Sequence, residues 1–295
     1  GIGASDSTSS AATSSVRSLA VVDTHQPPPG PMVVVAPPCG ANSKASAGLR
    51  EVPYPQLQAA CRDWGRLQQL GHGASGAVYR GDLGGYGQVA VKRFSAGRLQ
   101  LGLPFGDDAG REGSAATSIR RAYARELEAL QQLRHPNIIE LLAYSDDGPE
   151  VCLIMPLMEG GALDAAIRGG MAWWARVRVA AQVTCALSFL HRCSRLHRDV
   201  KSSNVLLDKS RLSARLSDFG LAGDLLPTGA TTGVTGTLPY MAPELLRCRP
   251  FSEKSDAFAL GVVFLELLTG LPPVDHERHP AKPLLVERAC DAEAA

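Results

Sequence analysis

Apolar and polar positions change their pattern several times along this chain. Residues 1–48 are rich in Ser, Ala, Thr, Pro and Gly and hold one short apolar run, Met32-Val33-Val34-Val35. That composition buries too little apolar surface to offset the entropy of ordering, so a disordered linker is expected over residues 1–50. The pattern then tightens. Leu67-Gln68-Gln69-Leu70-Gly71, Gly76-Ala77-Val78-Tyr79-Arg80 and Gln88-Val89-Ala90-Val91-Lys92 predict three short strands separated by glycine turns. Residues 95–114 are Gly-rich and predict a long loop. Ile119, Ala122, Tyr123, Leu127 and Leu130 recur at three- and four-residue intervals, which predicts a helix over 118–133. Strands over 138–144 and 151–155 would complete a small lobe of five strands and one helix spanning residues 51–155. Beyond Pro156 helices dominate, in a larger lobe spanning 156–295. Residues 173–191 carry an apolar stripe (Trp174, Val177, Ala181, Leu187, Leu190), and the last clear helix covers 254–269. The fold class expected is α+β.

A net charge of +1 with 45% hydrophobic residues gives no bias toward nucleic acid or membrane surfaces. Seven cysteines form an odd set without a C-x-x-C pair, and the histidines do not cluster with them at zinc-ligand spacing. Free thiols in a reducing compartment are therefore expected. No apolar stretch approaches the roughly 18 residues needed to span a bilayer; the run over 261–268 is shorter and carries Glu266. No signal peptide is legible, and the chain reads as an internal piece of a longer, cytoplasmic protein.

Chemistry concentrates in a few strings. Gly71-His72-Gly73-Ala74-Ser75-Gly76 lies between two predicted strands and leads into a strand, which excludes a dinucleotide-binding turn. It is followed by Val89-Ala90-Val91-Lys92, His197-Arg198-Asp199, Asp218-Phe219-Gly220 and Ala242-Pro243-Glu244. In this order and spacing the strings resemble the protein-kinase signature, and each has a separate task in moving a phosphoryl group. Gly71, Gly73 and Gly76 would let backbone lie over ATP phosphates; alone, the loop could be an ordinary turn. Val78 and Ala90 would face the adenine, and Lys92 would contact the α and β phosphates. Glu126 is the carboxylate expected to hold Lys92. Glu128, two residues on and on another helix face, is the competing candidate.

Asp199 would accept the substrate hydroxyl proton, Lys201 would neutralise the transferring group, and Asn204 and Asp218 would hold Mg²⁺. Any one of these acids could instead be a loop cap. Lys201 points to serine or threonine substrates. Thr228, Thr231, Thr232, Thr235 and Thr237 lie between Asp218 and Glu244. Phosphate on one of them, Thr231 or Thr232 first, could pair with Arg198 and order the segment; a merely soluble threonine-rich loop is the plainer reading. Thr237 is expected to hydrogen-bond near Asp199 and Lys201.

Finer text, DVKSSNVLLD over 199–208, LSDFGLA over 216–222, GTLPYMAP over 236–243 and GVVFLELLTGLPPVD over 261–275, resembles the interleukin-1-receptor-associated kinase / Pelle family. Plant receptor-like kinases share much of it, and the resemblance covers about residues 52–285. It implies the two-lobed protein-kinase fold, with Met155-Pro156-Leu157-Met158 as the hinge. Met155 would be the gatekeeper, where the family's human members usually carry tyrosine. The Met158 backbone and Leu206 would join the nucleotide site. Leu130, Leu141, His197 and Phe219 would stack as an apolar spine, with Asp256 anchoring the catalytic loop.

The activity implied is ATP-dependent serine/threonine phosphorylation with Mg²⁺, in Toll-like or interleukin-1 receptor innate immune signalling. The partners implied are a receptor-proximal adaptor and a ubiquitin ligase. A scaffold or inactive truncated kinase is the alternative. The resemblance further implies a large lobe truncated after its central helix. That would leave the apolar residues of 262–271 short of cover and Glu244 without its arginine.

Overall fold

The computed structural model describes residues 49–73, 76–95, 115–225 and 236–294. The linker over 1–48, most of the 95–114 loop, Ala74, Ser75, Thr228, Thr231, Thr232 and Thr235 lie outside the described residues. Six strands, β1 (Arg50–Glu51), β2 (Gln69–Gly73), β3 (Gly76–Leu83), β4 (Gly87–Phe94), β5 (Ala143–Ser145) and β6 (Val151–Pro156), form one sheet in the order β1-β5-β6-β4-β3-β2. β1 runs parallel to β5; the other pairs are antiparallel.

Register decides what each face of this sheet carries. Val78 pairs with Lys92, Lys92 with Leu153 and Ala90 with Met155, so all five share one face. That face meets helix α2 (Ala115–Gln132), whose Ile119, Tyr123 and Leu130 enter a core with Phe94, Leu153 and Met155. Tyr79, Val91, Cys152 and Ile154 occupy the opposite face, where helix α1 (Tyr54–Ala60) covers them with Tyr54, Leu57 and the following Cys61. With both faces buried, residues 151–155 read as a continuous apolar run, as a covered strand does.

The smaller lobe therefore has more elements than the five strands and one helix expected. α1 carries no clear sequence signal, because Tyr54-Pro55-Gln56-Leu57-Gln58-Ala59-Ala60 is short and polar with little helical periodicity, and β1 is only two residues long. The strand expected from Leu67 begins at Gln69; Leu67 lies in a single 3₁₀ turn and is 97% exposed. The strand expected over 138–144 shrinks to Ala143–Ser145. Ile138 and Ile139 turn instead to the other lobe, where the Ile139 N–H donates to Leu216 O at 2.9 Å and the Leu216 N–H to Asn137 O at 2.8 Å.

The larger lobe holds helices α3 (Leu163–Arg168), α4 (Trp173–Arg192), α5 (Pro243–Leu246), α6 (Glu253–Thr269) and α7 (Leu285–Ala294). β7 (Gly161–Ala162), β9 (Val205–Leu207) and β10 (Ala214–Leu216) form a second sheet, and β8 (Arg195–Leu196) pairs with β11 (Gly223–Asp224). α4 buries Ala175, Val179, Val183, Ala186, Leu187 and Leu190, whereas Val177 and Ala181 of the expected stripe are exposed. Small apolar residues lie all around this helix, and contact with β10 and α6 selects the buried side.

α6 opens on a Ser252–Ser255 capping box and ends at Gly270 in a left-handed conformation. Val262, Val263 and Leu267 are buried and Leu268 is exposed. α6 is not the last helix, since α7 packs on it with Leu285 buried. Glu244 is half-buried and accepts a hydrogen bond from Ser255 Oγ at 3.0 Å. The apolar run over 262–271 is thus covered only in part, and the partner of Glu244 is Ser255 and not an arginine among the described residues. Among the described residues no helix is long and apolar enough to cross a membrane. The architecture is the α+β, two-lobed arrangement that the resemblance implies.

Candidate active site

β4 and α2 bring the first cluster together. Lys92 Nζ lies 2.6 Å from Glu126 Oε2 and 2.7 Å from Asp218 Oδ1. Lys92 and Glu126 are buried, and Glu126 Oε1 has no hydrogen-bond partner. Burial pushes the Glu126 carboxyl up to about 7 against the pull of the Lys92 ammonium. Burial opposes the charge on Lys92, yet Glu126 and Asp218 together hold its pKa above the ordinary lysine value. The same ammonium draws Asp218 down to about 2. Of the two candidate glutamates, Glu126 meets Lys92, and Glu128 meets Arg195 instead at 3.4 Å.

A second cluster forms on the loop between β8 and β9. Asp256, at the start of α6, accepts the backbone N–H groups of His197 and Arg198, both at 2.9 Å. His197 Nε2 lies 3.1 Å from Ser217 O and its Nδ1 3.3 Å from the Asp199 backbone nitrogen, so two backbone groups orient the ring. The His197 ring meets Phe219 edge-on at 4.8 Å, and Leu130, Leu141 and Phe219 share one core.

The Asp199 carboxylate takes hydrogen bonds from Lys201 Nζ at 2.6 Å, Thr237 Oγ1 at 2.8 Å and Asn204 Nδ2 at 3.1 Å. Lys201 also reaches Thr237 Oγ1 at 3.0 Å, so Thr237 sits where the sequence placed it, between Asp199 and Lys201. Asn204 O accepts from Ser217 N and Oγ at 2.9 and 2.8 Å, which sets Asn204 beside the residue preceding Asp218.

The glycines of the β2–β3 turn differ in their reasons. Gly76, at φ 144°, has no room for a side chain, because an added Cβ would lie 2.1 Å from Arg93 O. Added at Gly71 or Gly73, a Cβ meets nothing within 4 Å, so packing within the chain does not demand glycine there. Val78, Ala90 and Met155 share the Lys92 face of the sheet; Met158 and Leu206 are half-buried in the other lobe. Arg198, at φ 68°, donates to Asp224 O at 3.2 Å and keeps a buried Nε without a partner. Burial and then the charge of Arg125 lower its pKa.

The donor set fits an oxygen-seeking divalent cation. Asp218 stays ionised and its side chain keeps 39% exposure, while Asn204 Nδ2 is engaged by Asp199, leaving its amide oxygen to accept. Among the described residues no group of three or more His, Cys, Asp or Glu side chains could hold a metal. A cation here would complete its shell from phosphate and water, the usual habit of Mg²⁺.

A further buried network, centred on Glu266, has no motif in the sequence. Glu266 Oε1 accepts from Ser202 Oγ at 2.8 Å and Glu266 Oε2 from Tyr240 OH at 2.9 Å. The signal available was a single carboxylate inside the apolar run of α6.

Residues 64–289 match the protein kinase domain family. The chain is similar to an L-type lectin-domain containing receptor kinase of Arabidopsis thaliana, 35% identical over 259 residues, with 83% of this chain and 36% of that protein covered. A probable LRR receptor-like serine/threonine-protein kinase of the same plant is 34% identical over 253 residues, covering 81% of this chain and 24% of that protein. A leucine-rich repeat receptor protein kinase of Oryza sativa subsp. japonica is 36% identical over 231 residues, covering 75% and 15%. The chain spans between 15% and 36% of the length of these relatives.

Proposed function

Since the chain belongs to the protein kinase family, we propose that it transfers the γ-phosphoryl group of ATP to serine or threonine hydroxyls of protein substrates. The observation that carries this reading is the pairing of two clusters. Lys92, Glu126 and Asp218 form one; Asp199, Lys201, Asn204 and Thr237 form the other. The turn at Gly71, Gly73 and Gly76 lies over the phosphates, where side chains at the first two would obstruct the ligand and not the protein. Val78, Ala90, Met155, Met158 and Leu206 enclose the adenine.

Glu126 holds Lys92 so that its ammonium meets the α and β phosphates. Asp199 orients the substrate hydroxyl and takes its proton, and Lys201 offsets charge on the transferring group. Asn204 and Asp218 would hold Mg²⁺, which when bound neutralises phosphate charge. An intact set of these side chains favours an enzyme over a scaffold.

The finer reading places the chain in the interleukin-1-receptor-associated kinase / Pelle branch. It would act in the cytoplasm in Toll-like or interleukin-1 receptor signalling, between an adaptor and a ubiquitin ligase. The stretches over 199–208 and 261–275 support it; the relatives named above are all plant receptor kinases. Activation follows phosphorylation of Thr231 or Thr232, whose phosphate pairs with Arg198.

Asp199→Asn tests the reading. Transfer should fall about 10²–10⁴-fold while ATP affinity stays close to wild type. Full turnover by the variant would overturn the assignment.

A further inference from the structure

Glu128, the glutamate that does not meet Lys92, takes part in a second arrangement. It follows Glu126 by two residues, about 200° around α2, and Gln132 lies one turn beyond it on the same side. Both meet a single guanidinium. Arg195 Nη2 lies 3.4 Å from Glu128 Oε1 and 2.9 Å from Gln132 Oε1. The Nε of the same side chain lies 3.0 Å from Asp224 Oδ1. Asp224 is the cross-strand partner of Arg195 in the β8–β11 pair, six residues after Asp218. The backbone fixes that segment independently, since the Leu225 N–H donates to Ser194 O at 2.8 Å and Arg198 Nη2 to Asp224 O at 3.2 Å. What Arg195 adds is the reach to α2.

We propose that Arg195 is a positioning residue that ties the helix carrying Glu126 to the segment following Asp218, keeping the two carboxylates on Lys92 in register. This rests on the phosphoryl-transfer reading above. The geometry needs arginine: a planar fork addresses two elements at fixed angles, whereas an ammonium on a flexible stem does not. The side chain of Arg195 is 17% exposed, but those of Glu128 and Asp224 are 61% and 63% exposed, so solvent screens both pairs and they add little to stability. Their effect is on placement. The Lys92–Glu126 and Lys92–Asp218 contacts of 2.6 and 2.7 Å are short, and a shift of about 1 Å at a reacting centre is enough to slow chemistry sharply.

The test uses the whole chain, its melting temperature, steady-state phosphorylation of a generic serine/threonine peptide, and amide hydrogen exchange. Arg195→Gln should lower kcat about 3- to 10-fold with little change in peptide KM or melting temperature, and Arg195→Lys should behave like it. Glu128→Gln and Asp224→Asn, at residues bridged by Arg195, should be non-additive in kcat in the wild type and additive in the Arg195→Gln background. Exchange over 123–132 and 223–225 should rise together in Arg195→Gln.

An Arg195→Gln protein with unchanged kcat, or coupling that survives in it, overturns the proposal. If the wild-type chain transfers no phosphate, the phosphoryl-transfer reading fails. Exchange then decides about the tie by itself: a joint rise supports it, and unchanged exchange over 123–132 overturns it.

Discussion

Glu266 accepts a hydrogen bond from Ser202 at 2.8 Å, joining the central helix of the large lobe to the neighbour of Lys201. Its other oxygen takes the Tyr240 hydroxyl, three residues beyond Thr237. One buried carboxylate thus supports both sides of the Asp199 cluster from below. Two hydroxyl donors do not fully compensate its desolvation, and burial pushes its pKa up to about 7 from an ordinary value of 4.5.

Stability should therefore depend on pH through Glu266. Between 4.5 and about 7 the folded state binds more protons than the unfolded chain, so stability falls as pH rises through that window. The contribution is complete below the lower value and lost above the upper one. Glu266→Gln is neutral at every pH and keeps the hydroxyl partners. It should gain up to about 3 kcal/mol on wild type at pH 8 and match it near pH 4.5. Urea midpoints at the two pH values measure this; parallel curves for both proteins would contradict it.

Lys92→Met should destabilise as well as inactivate. It breaks a buried ion pair and removes the ammonium that holds the Glu126 carboxyl down, so Glu126 takes up a proton near neutral pH and loses its partner, at a cost of about 3–5 kcal/mol. Lys92→Met combined with Glu126→Leu should recover most of that stability and none of the transfer. Denaturation and activity measured on the same preparations separate the two effects.

Gly76→Ala and Gly71→Ala should part company. The first forces a Cβ to 2.1 Å from Arg93 O and should disturb the β3–β4 pairing, with a lower melting temperature. The second meets no protein atom within 4 Å. It should melt like wild type, and any loss of ATP affinity then reports the approach of the turn to phosphate. Calorimetry with and without nucleotide provides both readings.

Arg62, Asp63 and Trp64 run consecutively at φ 51°, 55° and 58°, a left-handed turn that leads from α1 to the 3₁₀ turn before β2. Side chains at such angles cost roughly 1 kcal/mol each. Arg62 is exposed, so Arg62→Gly should raise stability by about 0.5 kcal/mol after the greater freedom of glycine in the unfolded chain is discounted. A lower melting temperature would mean that the arginine side chain makes a compensating contact.

The order of short strings along the chain determined the family and nominated the residues around Lys92 and Asp199. Each string is a local device whose residue types are dictated by phosphate, metal or proton chemistry. Helical periodicity located α2 and α6 within a few residues, because their apolar positions recur over several turns. It separated Glu126 from Glu128 by helix face, but only the packing of α2 on β4 decided which one meets Lys92. The buried side of α4 was likewise decided by β10 and α6, since apolar residues surround that helix. α1 owes its place to the rear face of the sheet, not to its own weak pattern. Arg195 and Glu266 gain their meaning from partners up to 67 and 64 residues away. Such contacts depend on how elements come together in space, and no local pattern in the chain encodes them.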